Sequence, residues 1–203
     1  VLLPDSIMDY GQDDDSDYGG MLSIGNCEIG RRRISQRPSV FRSICMNGCI
    51  WDKVQGEMIN QRHMGKIDLV ELKKRITDNV EKQLKLVPIA VRKFLSVRDL
   101  KVEGSMKATL AAICIKNRFE RRESQEILQQ FVTHEKEHRN LFGIINAITR
   151  AGQVFDEESW VKFDEIGGKM VGYTPDEWGS LSKYANTLPV KEVDEVFSAA
   201  AVG

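Results

Sequence analysis

No apolar run in this chain approaches the ~20 residues that a membrane-spanning helix needs, and its opening segment lacks the basic-then-apolar pattern of a secretory signal. The first residue is Val rather than Met, so the sequence reads as a fragment or a trimmed chain whose own N-terminus lies upstream. Cysteine is scarce, at four in 203 residues. Without a secretory signal, four thiols read as reduced side chains of a cytoplasm and not as a disulfide framework. The phosphate loop G-x-x-x-x-G-K-[ST], the dinucleotide G-x-G-x-x-G and the nucleophile elbow G-x-S-x-G are all missing. No carboxylate pair stands out from the general charge. The usual signatures of a small-molecule enzyme are therefore absent, and the sequence assigns no catalytic residue, metal or cofactor.

What is present starts with charge. The formal net charge of −1 hides a strong segregation. Residues 1–20 hold six Asp and no Lys or Arg, whereas residues 21–66 hold eight Lys/Arg against three Asp/Glu, a balance of 8 − 3 = +5. Five of these arginines, Arg31, Arg32, Arg33, Arg37 and Arg42, fall within twelve residues. Lys and Arg gain most where they neutralise phosphates, so a basic patch on an otherwise neutral chain suggests a polyanion partner. The plainer alternative is a solvated strand face with its arginines spread around the surface.

The pattern along the chain predicts an α+β fold, with a small N-terminal antiparallel sheet followed by a mostly helical body. Residues 1–20 form an acidic, irregular leader. Residues 21–66 form a basic β-rich segment, in which short apolar stretches are punctuated by Gly25, Gly30, Pro38 and Asn47-Gly48. Asn-Gly between two apolar runs is a strong hairpin signal, because both central residues of such a turn need φ > 0. Two to four strands are expected, with a short further one over Glu57–Asn60. From Asp68 the period becomes helical: Leu69, Leu72, Ile76, Val80 and Leu84 make one apolar stripe. Pro88 should kink or divide that helix. Residues 67–172 are expected as a helical body packed on the sheet, with a helix opening at Ser105 and another through Leu141, Ile144, Ile145 and Ile148. Residues 173–203 form a C-terminal helical extension, opened by Thr174-Pro175-Asp176-Glu177 as cap, first-turn proline and capping-box acid.

Three constellations compete for a chemical role. His134-Glu135-Lys136-Glu137-His138 spells the H-E-x-x-H of zinc peptidases, where two His one helical turn apart hold the metal and the Glu activates water. Here the intervening residues are charged and no third ligand is evident, so this reading is the weakest. Cys45 and Cys49 bracket a turn and, with Cys27 and His63, would offer four metal ligands. Small buried residues flanking a hairpin explain them more simply. Asn146, Thr149, Arg150 and Gln153 fall on one face of a helix, opposite Leu141, Ile145 and Ile148. Such a polar face can grip phosphate, bond a neighbouring element or lie exposed.

Two segments resemble a family carried by phages and plasmids, known as domain of unknown function 932. The first is Ser23-Ile24-Gly25-Asn26-Cys27-Glu28-Ile29-Gly30 followed by Val40-Phe41-Arg42-Ser43-Ile44-Cys45-Met46-Asn47-Gly48. The second is Leu141-Phe142-Gly143-Ile144-Ile145-Asn146-Ala147-Ile148-Thr149-Arg150-Ala151, similar to a late helix of that family with an Asn-Ala-x-Thr-Arg core. The resemblance covers roughly residues 21–172. It implies a phage or plasmid setting more than a reaction, and it raises the expectation of a nucleic-acid partner by association only.

The leading expectation is a non-enzymatic nucleic-acid-binding protein, with single-stranded DNA binding or annealing in replication or recombination as its role. Arg31, Arg32, Arg33, Arg37 and Arg42 would track phosphates, while Phe41 or Trp51 would offer a stacking surface. A homo-oligomer without membrane contact is expected. It would work in the cytoplasm of an infected or plasmid-bearing bacterial host, or in the virion. The second expectation is a structural or assembly protein of a virus particle that uses the basic sheet for subunit contacts. The third is the zinc metallopeptidase.

Overall fold

The computed structural model describes residues 18–25, 34–42, 47–50 and 59–61 as backbone, and residues 68–198 with their side chains except at 83, 84, 86, 87, 157 and 158. The chain divides into two compact units, Val1–Lys93 and Phe94–Gly203.

In the first unit the backbone pairs as β1 (Tyr18–Gly25), β2 (Ile34–Arg42), β3 (Asn47–Ile50) and β4 (Ile59–Gln61). β2 pairs antiparallel with β1 along one edge and with β3 and β4 along the other. The expected Asn47-Gly48 turn is corrected. Asn47 pairs with Arg42 and Gly48 with Phe41, so both belong to β3 and pair with β2 as strand instead of forming a two-residue turn. The α1 helix (Leu69–Ser96) follows. Pro88 stands inside it without dividing it. The proline removes one N–H from the ladder, but its own carbonyl still accepts a bond, from Arg92 Nε at 3.2 Å.

Residues 68–198 overturn the α+β expectation. Residues 68–198 contain helices, turns and one isolated bridge (Lys101 with Asn140), and no strand. After a 3-10 turn at Val97–Asp99 come α2 (Met106–Lys116), α3 (Arg121–Gln130), a π turn at Phe131–Glu135, α4 (Leu141–Gly152), α5 (Glu157–Val171), α6 (Pro175–Thr187) and α7 (Val190–Phe197). The expectation gave the helical stripes a sheet to pack on. Instead, two helices that are buried nearly all round supply the interior. Every residue of α4 from Leu141 to Thr149 is buried, as is every residue of α2 from Ala108 to Cys114. The amphipathic helices close around these two: α3 and α5 against α4, and α6 and α7 against α2. In the second of these contacts Val193 of α7 meets Ala108 and Ala111, where small α2 residues let the helices approach.

Local chemistry sets the helix starts. Ser105 Oγ accepts from Ala108 N at 3.2 Å at the head of α2. Thr174 and Glu177 form a reciprocal capping box at the head of α6, with Pro175 in its first turn. Asn140 Oδ1 accepts from Gly143 N at 3.0 Å and Asp156 Oδ1 from Ser159 N at 2.8 Å, starting α4 and α5. Glycine sets the spacing of α4. A Cβ on Gly152 would lie 2.7 Å from the Phe163 Cβ, so α5 crosses at a distance only glycine permits.

Candidate nucleic-acid interface

Of the arginines expected to meet phosphate, Arg31, Arg32 and Arg33 lie outside the described residues, as does Trp51. Arg37 and Arg42 belong to β2, opposite Ser23 and Tyr18, and Phe41 is opposite Gly19. The register runs unbroken through Pro38, which pairs with Leu22, so strand alternation puts positions 37 and 42 on opposite faces. The thiol–imidazole set falls on Cys27, Cys45 and His63, outside the described residues, and on Cys49, opposite Val40 in β3.

The polar residues of α4 are interior. Asn146 is 1% exposed and Thr149 0%. Thr149 Oγ1 donates back to the Ile145 carbonyl at 3.1 Å. Arg150 is half-buried near the end of the helix. An Asn-Ala-x-Thr-Arg face of this kind helps set the packing of α4 and presents no open surface at its first two polar positions.

The H-E-x-x-H segment does not form one face of an α-helix. Its first two residues close the π turn at Phe131–Glu135, and the chain then turns toward α4. His134 is exposed, while Glu135 is 1% exposed and its Oε2 lies 2.9 Å from His138 Nδ1. The glutamate thus faces the second histidine from within the protein. His138 also meets Phe142 edge to face at 5.6 Å, and Arg98 covers the same ring at 4.5 Å. Among the described residues no three His, Cys, Asp or Glu come together in a way that could hold a metal ion.

Two buried acids of another kind lie in the same unit. Burial pushes the Cys114 thiol up to about 12, against the opposing hydrogen bond from Ser124 and with a smaller push from Glu123. A thiol held neutral in this way is a poor nucleophile. Burial likewise raises the Asp164 carboxyl to about 8, opposed by a hydrogen bond with Trp160 and reinforced by Glu165.

Cations beside the α2–α3 turn meet aromatic rings at both ends of α5, and a cation of α5 meets a ring of the turn. Phe119 in the turn packs on Phe163 at 4.8 Å, and Phe155 also packs on Phe163, at 5.6 Å. Lys162 lies 5.0 Å from the Phe119 ring centre, Arg122 lies 5.4 Å from that of Phe155 and Lys116 lies 5.1 Å from that of Tyr173. Lys162 is committed: both Glu123 carboxylate oxygens accept from it, at 2.8 and 2.7 Å. Among the described residues no carboxylate lies within ion-pair distance of Lys116, Arg118, Arg121 or Arg122. Sequence reasoning passed over this stretch, although Lys116-Asn117-Arg118-Phe119-Glu120-Arg121-Arg122 has four cations in seven residues. That local density was the available signal.

Among the described residues no helix is long and apolar enough to cross a membrane. No family model, curated protein or solved structure matches the chain.

Proposed function

We propose that the chain is a non-enzymatic nucleic-acid-binding protein that favours single-stranded DNA and serves replication or recombination. The observation that carries this reading is the segregation of charge, a balance of +5 in residues 21–66 beside an Asp-rich leader. Cations gathered in one segment are costly unless a polyanion neutralises them. In the helical unit the H-E-x-x-H motif is interrupted by a π turn, and Asn146 and Thr149 are interior, so neither adds to the binding surface. The phage or plasmid setting rests on the resemblance in residues 21–172.

The test is affinity for a fluorescent oligo-dT as a function of salt. Each phosphate contact on a single strand contributes a slope of about −0.7 in log K against log salt, so replacing Arg31, Arg32 and Arg33 with Ala should flatten the slope by about two units. A folded variant with the parental slope would show that this run serves some other partner.

A further inference from the structure

Three arginines of the helical unit sit where local folding favours other residues. Arg118 follows the C-cap of α2 with φ 55, the one positive φ on a non-glycine residue among those described. At this position a helix usually ends on glycine or asparagine, because an L side chain is strained in the left-handed region. Arg121 and Arg122 are the first two residues of α3. A helix N-terminus carries a partial positive charge, so cations there are opposed by the macrodipole where acids would be favoured. The capping box of Glu120 and Glu123 supplies the acids this end requires, which leaves the two arginines without a role in starting the helix. No carboxylate among the described residues pairs with any of the three. Arg118, Arg121 and Arg122 are all exposed, so the turn presents a basic surface that no described carboxylate neutralises.

We infer that the α2–α3 turn is a contact for single-stranded nucleic acid, with Arg118, Arg121 and Arg122 binding successive phosphates and Lys116 extending the track. This inference rests on the nucleic-acid reading above and adds to it a second surface, in the helical unit. Charge complementarity selects a polyanion. The aromatic rings select a single strand over a duplex. Arg122 lies on Phe155 and Lys116 on Tyr173, and both rings are half-buried. A guanidinium backed by a ring is held flat, and its outer face can stack on an unpaired base. A duplex keeps its bases stacked inside and would use the phosphate contacts alone. Glu123 is saturated by Lys162 and by the Glu120 N–H at 2.7 Å, so it sits beneath the face without competing for a base or a metal.

The experiment uses the full chain, labelled oligo-dT and fluorescence anisotropy across a salt series, with thermal unfolding measured on each protein. Replacing Arg118, Arg121 and Arg122 with Ala should flatten the salt slope by about two units and weaken binding at 0.1 M salt by about 100-fold, if the three contacts act through counterion release. Replacing the same three with Lys should keep the slope. Arg118→Gly alone should separate function from fold: its melting temperature should rise by about 2–4 °C as left-handed strain is relieved, while the slope flattens by about 0.7. A residue with only a structural role would not move stability and binding in opposite directions. A folded Ala variant that binds like the parent, while the variant at Arg31, Arg32 and Arg33 loses binding, overturns the inference and leaves the function standing. A parent chain that does not bind oligo-dT at low salt overturns both. Equal affinity for a duplex of the same length removes the stacking role and with it the choice of a single strand.

Discussion

Asp164→Asn is expected to gain stability over the parent chain by on the order of 5 kcal/mol as pH rises from 4 to 8, at ~1.4 kcal/mol per pH unit. Asp164 is 4% exposed and lies in α5, next to the buried Phe163. Burial raises its carboxyl from 3.8 to about 8, with the hydrogen bond to Trp160 opposing and Glu165 adding. The folded protein therefore holds a proton through a range in which the unfolded chain has released it. Stability from this group is fully present below pH ~4, is lost progressively as pH rises, and is gone above pH ~8. Asparagine keeps the shape and never ionises, so the variant lacks this loss. Denaturant unfolding of both proteins across that pH range gives the difference directly. Parallel profiles would mean that Asp164 ionises normally, which would require a cation or water path that its burial does not suggest.

Gly143→Ala is expected to destabilise the helical unit by about 3 kcal/mol, the upper end for an overpacked interior. On helix propensity alone the change should stabilise α4 by about 1 kcal/mol, so the sign of the result discriminates. Gly143 lies in the first turn of α4, where the segment after the π turn folds back across the helix. A Cβ there would fall against the His138 carbonyl oxygen and 2.7 Å from the His138 Cβ. That carbonyl already accepts from Asn140 N at 2.8 Å, and Asn140 in turn caps the helix through Gly143 N. The backbone oxygen cannot retreat without breaking this link, and the shift would carry His138 away from Glu135 and Phe142. Thermal or chemical unfolding decides the matter. A variant as stable as the parent would show that the 136–139 segment yields without cost.

How much of this was legible from residues differs by element. The starts of α2 and α6 were, because Ser105 and Thr174 bond amides three residues on and the whole interaction lies inside one short window. The burial of α4 was legible only in part. Leu141, Ile145 and Ile148 mark a helix, but Asn146 and Thr149 could equally grip phosphate, bond a neighbouring element or lie exposed, since nothing in their spacing shows that α3 and α5 pack against the helix. His134 to His138 read as one helical turn because the pattern assumes 3.6 residues per turn. The π turn breaks that period, and no local residue announces it. Asn47-Gly48 read as a turn for a similar reason, since the pairing with Arg42 and Phe41 that makes them strand is not visible in the dipeptide.

The sequence by itself determined what depends on composition and near neighbours: the separation of acidic leader from basic segment, the helical period after Asp68, and the caps that start helices. These need only charges that add and hydrogen bonds that close over three or four residues. Only the tertiary structure decided which faces are enclosed, that residues 68–198 build their interior from helices without a sheet, and that Arg122 and Lys116 meet Phe155 and Tyr173 from the two ends of α5. Burial and ring contacts of this kind depend on partners tens of residues away, whose approach is fixed by packing all the helices at once and leaves no trace in any single window of sequence.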